Sequence, residues 1–115
     1  ATTYTGVIII RIDAQFYFGN VSFLKTLLKK LEMESPFPLK TIIIEACSIA
    51  QLDSSADSVL HDIADDFKER NIELKFASVK VPVLRVMKAS GLYDKIEERN
   101  FFMNIDDAVQ SESSQ

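Results

Sequence analysis

Two hydrophobic rhythms alternate along the chain. Short β-branched runs, Gly6-Val-Ile-Ile-Ile-Arg-Ile12 and Lys40-Thr-Ile-Ile-Ile-Glu-Ala46, read as strands buried on both faces. Ile72 to Ala77, alternating somewhat as I-E-L-K-F, reads as another strand, and Phe101-Phe-Met103 as a short last one. Between them the apolar residues fall at helical spacing. Val21, Leu24, Leu27, Leu28 and Leu31 form one stripe, and Ala56, Val59, Leu60, Ile63, Ala64 and Phe67 a second. The first helix is expected from a cap at Asn20 to about Glu34, where Ser35-Pro-Phe-Pro38 stops it. The second is expected from about Ser54 to Arg70, closed by Asn71. Pro82 suits a first helical residue and Gly91 a stop, with Val83, Leu84, Val86 and Met87 carrying the stripe between them. Asn104-Ile-Asp-Asp caps a final helix through Val109.

Helix and strand in alternation predict an α/β fold, a sandwich built on a mainly parallel sheet with right-handed crossovers and about four helices. One departure is expected near the start. Gln15-Phe-Tyr-Phe18 is short and aromatic, and so few residues separate it from the first strand that the two can pair only as an antiparallel hairpin. No repeat or linker interrupts the pattern, so residues 1–115 read as a single domain. Its core is expected over 6–109, and 110–115 as a polar tail that frays.

Composition narrows the function. A chain of 115 residues with 47% hydrophobic and 26% charged residues can bury a core of its own. A net charge of −4 argues against nucleic acid as a partner, since that would call for a basic face. The single cysteine, Cys47, cannot close an internal disulfide and reads as a small buried hydrophobe in a reducing compartment. No apolar run approaches the roughly 20 residues that span a bilayer. Gly6, Gly19 and Gly91 are too far apart for a phosphate loop, and neither HExxH, CxxC nor paired histidines occur. Neither a metal nor another cofactor is therefore expected. Nor does a convergent set of nucleophile, base and acid emerge, so the chain reads as a non-enzyme.

Attention falls instead on Asp53-Ser54-Ser55, where a buried strand hands over through a small polar loop to an amphipathic helix. In α/β domains that junction is where ligand or switch sites gather. Ser54 as cap, with Asp57 three residues on, makes a pair resembling a capping box. The functional reading is that the Ser54 hydroxyl, at an exposed helix start, is open to phosphorylation. Asp53, Ser55 and Asp57 would shape its loop, and Asp62, Asp65 and Asp66 continue an acidic face. A phosphate there would act as a surface charge switch more than as a local clamp. His61, the only histidine, lies four residues from both Asp57 and Asp65 and reads as a surface residue.

Element order and motif together resemble a STAS domain, the module shared by SulP-type anion transporters and bacterial anti-sigma-factor antagonists. The resemblance covers Gly6 to Val109. The family's Asp-Ser/Thr-Ser-Gly helix start matches Asp53-Ser54-Ser55-Ala56, which places the residue phosphorylated in the antagonists on Ser54. Two positions depart: alanine replaces the glycine at Ala56, and Glu45 stands where the central strand usually closes with Asp. Phe16-Tyr-Phe-Gly-Asn20 and Asn104-Ile-Asp-Asp-Ala-Val109 look like segments of the transporter branch. The resemblance implies a regulatory and assembly domain at the cytoplasmic face of a membrane protein that carries sulfate, bicarbonate or a similar anion. Its implied partners are the membrane domain of the parent transporter, a second copy in a homodimer, and a regulatory protein. The alternative implied by the same resemblance is a free-standing anti-sigma-factor antagonist switched by serine phosphorylation. A receiver domain fits less well: Asp13 stands alone after the first strand, and the central strand ends Glu45-Ala46.

Overall fold

A computed structural model describes residues 2–4, 6–12 and 18–113, apart from the side chains of 2–4, 18–21 and 113. Five strands form one sheet in the order β1 (Thr2–Tyr4), β2 (Val7–Arg11), β3 (Thr41–Glu45), β4 (Glu73–Ala77), β5 (Phe101–Phe102). The last four are parallel, and β1 runs antiparallel on the edge. Five helices accompany them: α1 (Phe18–Glu34), α2 (Ser54–Glu69), α3 (Val81–Ser90), α4 (Leu92–Ile96) and α5 (Ile105–Ser113).

The register between β2 and β3 sets isoleucine against isoleucine: Ile8 opposite Ile42, Ile9 opposite Ile43 and Ile10 opposite Ile44. Because side chains alternate across a strand, each run divides between two layers. Ile8, Ile10, Ile42, Ile44, Leu74 and Phe76 join the large core under α1 to α4, with Leu24, Leu28, Leu60, Ile63 and Phe67 from the helices. Val7, Ile43 and Ala77 face the other way and meet Ala108 of α5 in a much smaller cluster. The sheet is thus thickly covered on one face and closed on the other by a single nine-residue helix.

The antiparallel pair comes from a different segment than expected. β1 pairs with β2, Thr2 opposite Ile9 and Tyr4 opposite Val7. Gly6, read as the first strand residue, instead makes the turn at φ +75°, a conformation that glycine adopts without the Cβ penalty. Of the segment Gln15-Phe-Tyr-Phe18, the first three residues lie outside the described ones and Phe18 opens α1. Asn20, expected as the cap of that helix, therefore lies within its first turn.

Two further corrections concern the carboxyl-terminal third. Gly91 ends α3 as expected, at φ +86°, but the chain re-enters a helix at once as α4, so five helices replace the four expected. Leu92 and Ile96, spaced four apart and both buried, seat that extra turn. The last helix is capped by Asn104, whose Oδ1 accepts from the Asp107 amide at 2.9 Å, and continues past Val109 to Ser113. Ser111 and Glu112, read as part of a fraying tail, are held in place. Glu112 accepts from Lys75 Nζ and, at 2.9 Å, from Thr41 Oγ1, while Lys75 also donates to Ser111 Oγ at 2.9 Å. Lys75 on β4, only 2% exposed, is what makes the α5 layer specific, because a buried ammonium has to be matched.

Candidate functional site

The junction after β3 is built by anchoring its apolar residues and releasing its polar ones. Ala46 N–H donates to Ala77 O at 2.9 Å, which prolongs the β3–β4 pairing by one rung, and Ile49 N–H donates back to Ala46 O at 3.0 Å in a tight turn. The Glu45 carboxylate accepts from Cys47 N–H at 3.1 Å and so closes the strand end on itself. Cys47 is half-buried at this turn, not in the core. Ile49 and Leu52, both buried, pin the loop to the core, and the chain then surfaces at Asp53.

Asp53, not Ser54, is the N-cap of α2. Its backbone is extended at φ −81° and ψ 164°, and its Oδ1 accepts from Ala56 N–H at 2.7 Å. Ser54 and Ser55 are the first two helical residues and both are exposed. The Ser54 hydroxyl is thus free of the capping duty read for it and open to solvent. Ala56 is fully buried behind them, where its methyl fills core space that a glycine would leave open.

Asp57 does not sit on the polar face. It is 4% exposed, and one carboxylate oxygen, Oδ1, has no partner. The other lies 3.6 Å from His61 Nε2, which also lies 3.2 Å from Ser90 Oγ at the end of α3. His61 is therefore half-buried and ties α2 to α3 in place of standing free on the surface. The i, i+4 spacing of Asp57 and His61 was legible in the sequence; Ser90, 29 residues further on, carried no local signal. This is not a catalytic triad. In a triad the serine and the carboxylate engage opposite ring nitrogens, whereas here both approach Nε2.

The acidic face beyond Ser54 is partly neutralised. Asp65 pairs with Lys95 of α4 at 3.1 Å and Asp66 with Arg70 at 2.8 Å, while Asp62 stays exposed. The carboxylate next to Ser54 in the chain is Asp53, already engaged as the cap. The arrangement can present a hydroxyl, and a phosphate placed on it, to a partner. Among the described residues no group of His, Cys, Asp and Glu has the geometry to hold a metal ion, and no helix is long and apolar enough to cross a membrane.

Comparison with known proteins agrees with this architecture. The STAS domain family matches residues 1–108. The Arabidopsis thaliana protein described as probable sulfate transporter 4.2 is 34% identical over 119 residues, a match spanning 96% of this chain and 18% of the plant protein. The chain therefore corresponds to about a fifth of the length of that relative. Among solved structures, murine Solute Carrier 26 family member A9 in the inward-facing state superposes with a TM-score of 0.85 at 15% identity, over 100% of this chain and 19% of the other. A Thermotoga maritima protein described as an anti-sigma factor antagonist superposes with a TM-score of 0.77 at 17% identity, over 96% and 90% of the two chains. At such identities the two superpositions speak for the fold alone.

Proposed function

The chain belongs to the STAS domain family, and on that premise we propose that it is the regulatory and assembly domain of an anion carrier of the sulfate-transporter type. It acts by contact and not by catalysis. It sits at the cytoplasmic face of the membrane, docked on the membrane domain of its parent protein or on a second copy, and receives regulatory proteins at the carboxyl ends of its strands. Ser54 is the switch position. A phosphate there adds about −1.5 to −2 charges at an exposed helix start. Asp53 holds the helix start in shape through its bond to Ala56, and Ser55 shares the exposed face.

The observation that carries this reading is the 34% identity to a sulfate transporter across 96% of the chain, with the match confined to 18% of the longer protein. The exposed Ser54 supplies the regulatory half. The test is a chimera in which this chain replaces the matching segment of that plant transporter, assayed for sulfate uptake in cells lacking their own uptake system. Uptake well above that of the domain-less truncation is expected, with Ser54→Asp and Ser54→Ala differing from each other. Uptake no better than the truncation would refute the transporter reading. The antagonist alternative would gain if the isolated chain bound a serine kinase of the anti-sigma type and Ser54→Asp abolished that binding.

A further inference from the structure

At the amino end of β4, away from the Ser54 loop, lies a cavity of about 250 Å³ between the last turn of α2, the start of β4 and the segment from α4 to Asn100. Its floor is apolar: Ala64, Ile72, Leu74 and Ile96 line it while belonging to the large core. Its rim is charged, with Lys68, Lys95 and Arg99 set against Glu73 and Glu97. Most of that charge is already matched. Arg99 donates to Glu73 at 3.0 Å and to Glu97 at 3.4 Å, and Lys95 pairs with Asp65. Lys68 has no side-chain partner among the described residues, whereas Arg99 is shared by two carboxylates, so the rim is balanced in net charge and its unengaged cation is Lys68. Three of the carbonyls that end α2 accept backbone hydrogen bonds, which lessens their repulsion of an anion: Arg70 N–H donates to Asp66 and Phe67, and Asn71 N–H to Lys68.

Two further features gather at the same place. Glu97, on the rim, is held at φ 83° and ψ 139°, a region that glycine alone enters at ease. Asn100, 5% exposed, spends its Nδ2 on Ile96 O at 2.8 Å and leaves Oδ1 without a partner. An ordered water in the cavity would satisfy it. Backbone strain and an unsatisfied buried acceptor beside the same concavity are what a binding site leaves behind, and packing alone does not require either.

We propose that this cavity is a binding site for a small amphipathic carboxylate, its hydrocarbon part on the floor of Ile72, Leu74 and Ile96 and its anionic head on Lys68 at the rim. The volume lies just under the roughly 300–1,000 Å³ of drug-sized sites, so the occupant is a short chain and not a nucleotide. Arg99 stands between Glu73 and Glu97 and donates to both, which offsets part of their repulsion of the head group. The inference does not depend on the transport reading.

The test is an NMR titration of the isotope-labelled 115-residue chain with hexanoate, hexylamine and inorganic sulfate in parallel. Hexanoate is expected to move the amides of residues 72–74 and 96–100 saturably in the millimolar range, with neither control doing so. Lys68→Glu, an exposed substitution that leaves the core untouched, is expected to weaken hexanoate about fivefold, equivalent to about 1 kcal/mol by RT ln 5. Ala64→Leu, which narrows the floor, is expected to abolish it. No saturable shift at those amides, an equal response to hexylamine or to sulfate, or unchanged affinity in Lys68→Glu would each overturn the assignment.

Discussion

Replacing Glu112 with alanine asks whether the last helix is held by its buried charge. The Lys75 side chain is 3% exposed and that of Glu112 9%, so the pair lies out of water. An exposed ion pair would be worth only about 0.2–1 kcal/mol. Removing one partner of a buried pair is different, because the ammonium left behind has lost both water and counter-charge, and such losses run to about 3–5 kcal/mol. Here Lys75 would keep Ser111 Oγ at 2.9 Å and the half-buried Glu73 at 3.7 Å, which places the cost of the ammonium near the low end. Thr41 would lose its acceptor as well, adding about 1 kcal/mol. The expected loss for Glu112→Ala is therefore about 3–4 kcal/mol, a large share of the roughly 5–15 kcal/mol that holds a domain together. Urea unfolding followed by far-UV circular dichroism measures it as a lower midpoint at unchanged slope. Since the pair is shielded from solvent, raising NaCl from about 0.1 to about 1 M should leave the difference in place. A companion double variant, Lys75→Met with Glu112→Leu, removes both charges and should recover most of the loss. A deficit under about 1 kcal/mol, or one that salt erases, would show that the pair behaves as a surface contact and that the account of α5 is wrong.

Other substitutions separate neighbouring roles. Asp53→Ala removes the bond to Ala56 N–H and should cost about 1 kcal/mol in thermal or urea unfolding, whereas Ser54→Ala, at an exposed non-capping position, should stay within about 0.5 kcal/mol. The reverse ranking would return the cap to Ser54. Gly91→Ala meets open space, so only its φ of +86° is penalised, at about 1–2 kcal/mol. Gly6→Ala should cost more in the same assay, because its new Cβ would also stand 3.0 Å from Pro38 O and 3.3 Å from Lys40 Cβ.

What the sequence determined by itself was whatever depends on neighbours a few residues apart. The runs Val7–Ile10 and Ile42–Ile44 could be nothing but buried strands. The stripe Ala56, Leu60, Ile63, Ala64, Phe67 had to turn a helix inward, and Ser54 fell at that helix's exposed start because the apolar residues begin at Ala56. Local rhythm also explains what went astray. A strand beside β2 could come from either flank, and only the turn at Gly6 selected Thr2–Tyr4. The single cap position could be Asp53 or Ser54, and which oxygen reaches the Ala56 amide depends on where Leu52 anchors the preceding loop. Tertiary structure alone decided the rest. Lys75 looked like the solvent side of an alternating strand until α5, more than 30 residues away, laid Ser111 and Glu112 over it. Asp57 looked like part of an acidic face until α3 brought Ser90 to His61. Lys75 is buried with partners from a distant element, and the Asp57–His61 pair, legible as an i, i+4 spacing, is joined to α3 by a serine 29 residues further on; no pattern of near neighbours encodes either arrival.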